Sequence, residues 1–228
     1  MCGRCVLATD IDAIQREFDL SAFPPLEARY NIAPTQPVPI VTNERGRQAD
    51  IVLWGLVPSW SKDPSIAAKL INARAETIDE KPSFRAAFKY RRCLIPATGF
   101  YEWMKAEKGS KRPHLLYLPQ RPVFAFAGLW ERWQSPQGDE LRTCTILTTE
   151  PNDLVRPLHH RMAVILNRDD YELWLDPSAD PVHLKSLLQP YPGEEMALHE
   201  VSTLVNNVRN DHPDLIAPLQ PPRQSSLL

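Results

Sequence analysis

The chain has 228 residues, of which 43% are hydrophobic and 24% are charged, and its net charge of −2 excludes a polycation that binds through overall charge. No run of about 18 apolar residues predicts a membrane span, and the N-terminus lacks the zones of a signal peptide. We therefore expect a cytoplasmic protein whose four cysteines are reduced thiols.

The 23 prolines against 8 glycines predict many short strands joined by stiff connections. In chain order, the apolar spacing predicts a helix over 11–19 capped by Asp10, strands over 37–42 and 50–57, a short helix over 64–69, an extended segment over 71–77, a helix over 83–90, a strand-rich region from 93 to 150, helical segments over 152–158, 169–175 and 181–188, and a strand over 197–203. This pattern predicts one α+β domain over 1–217, built on a curved or barrel-like, mainly antiparallel β-sheet with short peripheral helices, and a disordered tail over 218–228.

Cys2 directly follows the initiator methionine. Methionine is normally trimmed before a small residue, so we expect the mature chain to begin at Cys2, with a free α-amine next to a thiol. The unperturbed pKa values of these two groups, about 7.7–8.0 and about 8.5, leave both partly nucleophilic near neutral pH. An amine of this kind condenses with an aldehyde, and the thiol then closes the imine into a thiazolidine. The terminus is therefore suited to covalent capture of aldehydes.

Cys2 and Cys5 also form a C-x-x-C pair, which is typical of redox sites and of half a zinc site. No strand precedes the pair, and the other cysteines, Cys93 and Cys144, are isolated. Both interpretations therefore rank below the terminal nucleophile, and we predict no metal and no cofactor.

Glu102 is the most suggestive carboxylate. On a strand, Phe100, Glu102 and Met104 would share one face. An acid among apolar side chains is desolvated, which raises its pKa and suits it to acid–base catalysis. A carboxylate at a strand edge facing water is the structural alternative.

Two further groups of polar residues are candidates. Alternation along a strand would place Asn72, Arg74 and Glu76 on one face, as a site wall or as an Arg–Glu pair that supports a sheet. On a strand, His159 and His160 would point to opposite faces, so at most one of them would serve a given site.

A basic stretch lies between residues 81 and 92 and contains no acid. Its cations are Lys81, Arg85, Lys89, Arg91 and Arg92. A local phosphate-binding surface and a solvated helix face are equally open interpretations.

Seven motifs occur in the order found in one family: Met1-Cys-Gly-Arg4, Arg29-Tyr-Asn-Ile-Ala-Pro34, Trp54-Gly-Leu-Val-Pro58, Asn72-Ala-Arg-Ala-Glu-Thr77, Arg92-Cys-Leu-Ile-Pro96, Gly99-Phe-Tyr-Glu-Trp103 and His159-His-Arg-Met162. Over residues 1 to about 217, the chain thus resembles the SRAP family, the SOS-response-associated peptidases, which are understood as abasic-site processing proteins. It departs from the family pattern at Cys5, where an aromatic residue is usual, and at Ala163, where proline is usual.

The resemblance implies autoproteolytic removal of Met1 and a thiazolidine crosslink between Cys2 and the ring-opened abasic site of single-stranded DNA, including sites at junctions with duplex. By similarity, Asn72 holds the terminal amine, Glu102 is the acid–base group, and His159, selected by the H-x-R-M pattern, transfers protons in Schiff-base formation and in crosslink reversal. Associated lyase activity and a monomeric state are also expected. The residues that match DNA-facing positions are Arg4, Asn31, Trp60, Arg74 and Arg161. A peptidase that acts on other proteins through Cys2, His159 and Glu102 is the alternative function.

Overall fold

The computed structural model describes residues 2–44, 46–105 and 111–219. Its strands are β1 (Cys5–Leu7), β2 (Arg29–Ile32), β3 (Pro37–Thr42), β4 (Gln48–Trp54), β5 (Asn72–Arg74), β6 (Arg92–Ala97), β7 (Gly99–Lys105), β8 (Lys111–Tyr117), β9 (Phe124–Gln134), β10 (Glu140–Thr149), β11 (Met162–Ala163), β12 (Ile165–Leu166) and β13 (Ala197–Glu200). The α-helices are α1 (Ile11–Phe18), α2 (Arg85–Tyr90), α3 (Tyr171–Leu175) and α4 (Pro181–Ser186). Within the same described ranges, 3₁₀ segments cover Pro64–Lys69, Ala75–Thr77, Arg168–Asp170, Gly193–Glu195, Thr203–Asn206 and Pro213–Ile216.

Five strands close into a barrel. β3 pairs antiparallel with β4 and β6, and β9 pairs antiparallel with β6 and β10. Parallel pairing of β10 with β4 closes the ring, and β5 adds to β10 in parallel. Gly128 on β9 leaves room for side chains of β6, because a Cβ atom there would lie 2.7 Å from Ile95 and 2.9 Å from the Cys93 sulfur.

A second, five-stranded antiparallel sheet has the order β13-β8-β7-β1-β2. Its two faces are defined by the alternation along β7. Phe100 packs edge-to-face on Phe126 of the barrel, with ring centroids 5.6 Å apart, while Tyr101 packs on the opposite side with Val205 and Leu215. Glu102 therefore lies on the barrel-facing side of the sheet, as the predicted alternation requires.

The predicted fold class is confirmed, with two refinements: the strands form a closed barrel plus a separate sheet, and β10 makes parallel pairs. The Asp10 cap is also confirmed, since its carboxylate accepts from the Ala13 amide at 2.7 Å. The helix it caps ends at Phe18, and Asp19 follows in the left-handed region with φ of 50°.

The helix predicted over 152–158 is wrong, because this segment is a series of turns. The Asn152 side chain accepts from the Val155 amide at 2.9 Å, and Pro157 has no N–H to continue a helical ladder. The short helix predicted over 64–69 is confirmed, and it is a 3₁₀ helix. Residues 220–228 of the predicted tail lie outside the described residues, and in the described ranges no helix has the length and apolar character needed to cross a membrane.

Candidate functional site

The candidate site lies where the five-stranded sheet meets the barrel. β1 pairs with β7, and the pairing extends to a hydrogen bond from the Tyr101 amide to the Arg4 carbonyl at 3.0 Å, so the residues before Arg4 run beside Glu102. From the barrel side, β5 holds Asn72 through its pairing with β10. The Asn72 Nδ2 donates to the Cys2 carbonyl at 2.8 Å. Two separate parts of the fold therefore fix the position of Cys2.

Burial governs the chemistry of the Cys2 thiol. The residue is fully buried, and this desolvation, followed by the nearby Cys5 and Glu102, raises its pKa well above the usual range. The sequence had indicated an ordinary thiol that is partly ionised near neutral pH, and this expectation is wrong for the chain that carries Met1. In this state the thiol is protonated, so a base is needed to activate it.

Glu102 is a suitable base. Its residue is 3% exposed, and burial raises the pKa of its carboxyl to about 7. The predicted desolvation is therefore confirmed, and the alternative of a carboxylate facing water is excluded. Because Glu102 also raises the pKa of Cys2, the two groups are close enough to interact. A carboxyl that titrates near neutral pH can both accept and return a proton under working conditions.

The two histidines lie together, contrary to the prediction. His159 and His160 are in a loop before β11 rather than on a strand, and their rings stack with centroids 4.3 Å apart. Nδ1 of His159 lies 3.0 Å from the Arg161 amide nitrogen and 3.1 Å from the Arg161 carbonyl oxygen, so the backbone of Arg161 holds the ring in place. Burial lowers the pKa of His159 below its usual value. The imidazole is thus neutral near pH 7.

A cavity of about 720 Å³ connects Glu102 and the two histidines to the surface, whereas Cys2 and Asn72 are not among its lining residues. The described residues that line it are Arg4, Glu102, Trp103, Lys105, Lys111, Arg156, Pro157, Leu158, His159, His160 and Asn206. Four of these side chains are cationic, and among the described lining residues Glu102 is the one acid. The cavity therefore favours an anionic ligand.

Sequence reasoning missed three of the four cations, Lys105, Lys111 and Arg156. The two lysines face each other across the β7–β8 pair, an arrangement of like charges that destabilises a sheet. A hairpin register drawn from the sequence could have found this pair, whereas Arg156 lies in turns that the sequence pattern misassigned.

Arg4 and Asn31 are linked to each other. Nη1 of Arg4 donates to Asn31 Oδ1 and to the Val205 carbonyl, both at 2.7 Å, and the guanidinium lies 5.7 Å from the Trp103 ring centroid. Asn31 is fully buried, and its Nδ2 donates to the Asn210 carbonyl at 2.7 Å. The structure thus places Asn31 inside the protein as a support for Arg4, and a direct DNA contact by its side chain is not supported.

The polar wall predicted over residues 72–76 is only partly formed. β5 ends at Arg74 and a 3₁₀ segment follows, so strand alternation does not extend to Glu76. Glu76 pairs instead with Arg161, through contacts of 2.6 and 2.9 Å, and this pairing lowers the pKa of Glu76. Arg74 is exposed and forms no ion pair with any residue the structure describes.

The remaining predicted residue, Trp60, is 59% exposed, and its Nε1 donates to the Pro82 carbonyl at 3.4 Å.

Cys2 and Cys5 are both free thiols. Across residues 2–44, 46–105 and 111–219, no group of three or more His, Cys, Asp or Glu side chains is arranged to hold a metal ion.

A Glu102→Gln variant is expected to be more stable than the wild type at high pH. Because the folded pKa of about 7 is above the ordinary value of 4.5, the wild type loses stability as pH rises from about 4.5 through 7. Glutamine does not ionise, so the variant should gain up to about 3 kcal/mol over the wild type by pH 8 and little at pH 4. Thermal unfolding of both proteins at the two pH values measures this difference.

Glu131→Gln is the matched control. Glu131 is 4% exposed, but its carboxylate pairs with Arg91 at 2.7 Å. Removing its charge leaves a cation without its partner, so this variant should not gain stability at pH 8. Equal gains in both variants would contradict the assignment of the effect to desolvation of Glu102.

The comparisons with known proteins agree on a single family. The family model described as SOS response associated peptidase (SRAP) matches residues 1–208. The abasic site processing protein YoqW of Bacillus subtilis (strain 168) is 44% identical over 221 residues, covering 95% of this chain and 99% of the relative. The abasic site processing protein HMCES of Gallus gallus is 34% identical over 224 residues, covering 84% of this chain and 66% of the relative. A crystal structure of a protein from Bacteroides thetaiotaomicron superposes with a TM-score of 0.86 at 30% identity, covering 96% of this chain and all of the other.

Proposed function

This chain belongs to the SOS response associated peptidase (SRAP) family, and we propose that it processes abasic sites in DNA by forming a covalent crosslink through Cys2. Two relatives are named abasic site processing proteins, which supports an abasic site as the substrate. The observation that carries the chemistry is the placement of Cys2 against Asn72 and beside Glu102, which lines a basic cavity. Such a site suits an electrophile that is attached to a phosphate backbone.

The proposed reaction begins with hydrolysis of the Met1–Cys2 peptide bond, which consumes one water and frees the α-amine of Cys2. In the ring-opened form of the abasic site, C1′ is an aldehyde. The amine adds to this carbon, and loss of the aldehyde oxygen as water gives an imine. The thiolate then adds to the imine carbon while the nitrogen gains a proton, which closes a thiazolidine. The product is protein plus DNA minus one water.

We assign each polar group of the site a role in this reaction. During imine formation, Glu102 moves protons from the attacking nitrogen to the departing oxygen. During ring closure, its carboxylate takes the proton of the Cys2 thiol and passes it to the nitrogen, as a group with a pKa of about 7 can do. Asn72 holds Cys2 by its carbonyl. The His159 imidazole, whose Nδ1 lies against the Arg161 backbone, offers Nε2 for proton transfer at the deoxyribose.

We propose that several cations together bind the phosphates of the DNA. Arg4, fixed by Asn31, and the cavity cations Lys105, Lys111 and Arg156 would contact phosphates beside the lesion. Arg74 is exposed and available for a further phosphate. Arg161 is held by Glu76, so its proposed role is to position His159 through its backbone and to offer only a partly neutralised charge to DNA.

Intact-mass spectrometry tests the proposal. The purified protein is weighed before and after mixing with a single-stranded oligonucleotide that carries one abasic site. Loss of the Met1 residue and then a mass of protein plus DNA minus one water support the thiazolidine. Retention of Met1, or the absence of any adduct, would refute Cys2 as the nucleophile. Cleavage of an unrelated protein that depends on Cys2 would instead favour the peptidase function.

A further inference from the structure

The basic stretch after β5 forms a row of side chains on the protein surface. The amide of Arg85 donates to the Lys81 carbonyl at 2.9 Å, so a hydrogen-bonded turn joins Lys81 to the start of α2. Lys81, Arg85 and Lys89 follow one another at intervals of four residues, and all three are exposed. Residues four apart lie on one side of a helix, so Arg85 and Lys89 lie about 6 Å apart along α2, and Lys81 precedes them by one turn.

The row is free to bind because its charges are not used inside the protein. None of its three cations forms an ion pair with a residue in the described ranges, and the nearby Asp79 is held by Lys185 at 3.0 Å, which leaves Glu80 as the neighbouring acid. The other two cations of the stretch differ. Arg91 pairs with Glu131, and Arg92 is buried, donating to the Phe88 and Lys89 carbonyls.

Exposed aromatic side chains flank the row at both ends. Trp60 is 59% exposed and is tied by its Nε1 to Pro82, next to Lys81. Tyr90 is 60% exposed at the far end, where the Lys89 ammonium lies 4.9 Å from its ring centroid. Phe84 and Phe88, on the opposite side of the helix, are buried, so the exposure of Trp60 and Tyr90 is not a general feature of the aromatic residues in this segment.

We propose that this row, with Trp60 and Tyr90, binds the unpaired DNA strand that flanks the abasic site. A line of cations with aromatic platforms is the combination that holds single-stranded nucleic acid, since cations follow the phosphates and every unpaired base has a face to stack. With three cations, the row can contact up to three phosphates of a single strand. The inference rests on the proposed function for its substrate and assigns a part of that substrate to a surface outside the cavity.

The test measures binding without crosslinking. The probe is a fluorescent single-stranded oligonucleotide with a tetrahydrofuran abasic analogue, which has no aldehyde, and anisotropy gives Kd over a range of salt concentrations. Replacing Arg85 and Lys89 by glutamine should weaken binding about tenfold at 0.1 M salt and reduce the salt slope by about 1.4, at 0.7 for each single-strand contact. Tyr90→Ala should weaken binding at least about fivefold if one base stacks on it.

The control variant replaces Arg16 and Arg168 by glutamine, which removes two exposed cations from α1 and the segment before α3. It should bind as the wild type does. A Kd and slope in Arg85→Gln/Lys89→Gln equal to those of the control would overturn the proposal. A defect seen only with a duplex flank, and not with a single strand, would also overturn it.

The outcome is separable from that of the crosslink chemistry. Failure of the wild type to crosslink an aldehyde-bearing oligonucleotide, with the charge effect on the aldehyde-free probe intact, would refute only the covalent function. Normal crosslinking with no charge effect would refute only the row.

Discussion

Replacing Cys2 by alanine is expected to abolish the stable crosslink to abasic DNA. The thiazolidine needs a thiol on the carbon next to the amine-bearing carbon, and alanine leaves the amine alone. If Met1 is still removed, the terminal amine of the variant can form an imine, which hydrolyses or proceeds to strand cleavage, so weak and transient lyase activity is compatible with the proposal. Denaturing electrophoresis of the protein mixed with labelled abasic oligonucleotide measures the stable adduct, and trapping with borohydride reveals the imine.

Cys5→Ala is the matched control for that experiment. Cys5 is 2% exposed on β1, three residues from Cys2, and burial raises its pKa to about 12. Because both cysteines are buried, loss of either sulfur removes a similar amount of packing. The two variants are therefore expected to lose similar stability. We expect the Cys5 variant to retain the crosslink. A stable, denaturation-resistant adduct in Cys2→Ala would rule out the thiazolidine.

The strand alternation around Glu102 could be predicted from sequence because it is local. Phe100 and Met104 direct one side of β7 toward the apolar interior, and the position of Glu102 between them fixes its burial. The Asp10 cap is local in the same sense, since the capping contact spans three residues.

The features that could not be predicted from the sequence depend on contacts between distant segments. The burial of Asn31 arises from carbonyls near residues 205–210, more than 170 positions away, so no local pattern reports it. The stacked His159 and His160 required knowledge that the segment before β11 is a loop. Family motifs predicted Arg161 as a DNA-facing residue, and only the fold revealed its contact with Glu76.

The same distinction explains the thiol of Cys2. Its sequence position indicates the pair of nucleophiles, but its pKa is set by burial between β5, β7 and the barrel. The protonation of this thiol is therefore a property of the fold, and we propose that Glu102 is the base that it requires.

Replacing Glu102 by glutamine is expected to slow crosslinking by about 10²- to 10⁴-fold, the usual contribution of a general acid–base group. The rate of the wild type should rise with pH through about 7, because only the deprotonated carboxylate can accept the thiol proton. Burial lowers the pKa of His159 below its usual value, so we expect its titration at lower pH than that of Glu102. Single-turnover rates at saturating DNA, measured from pH 5 to 9, report this dependence.

Glu102→Asp distinguishes the need for a negative charge from the need for that charge at the position of the glutamate carboxylate. It keeps a carboxylate but withdraws it by one methylene, so it should retain the pH dependence at a reduced rate, whereas Glu102→Gln should lose it. A rise near pH 7 that persists in the glutamine variant would assign the titration to another group. The stability measurement then becomes decisive: if the glutamine variant still gains stability at pH 8, Glu102 titrates near 7 without serving as the base, because the same ionisation governs both readouts.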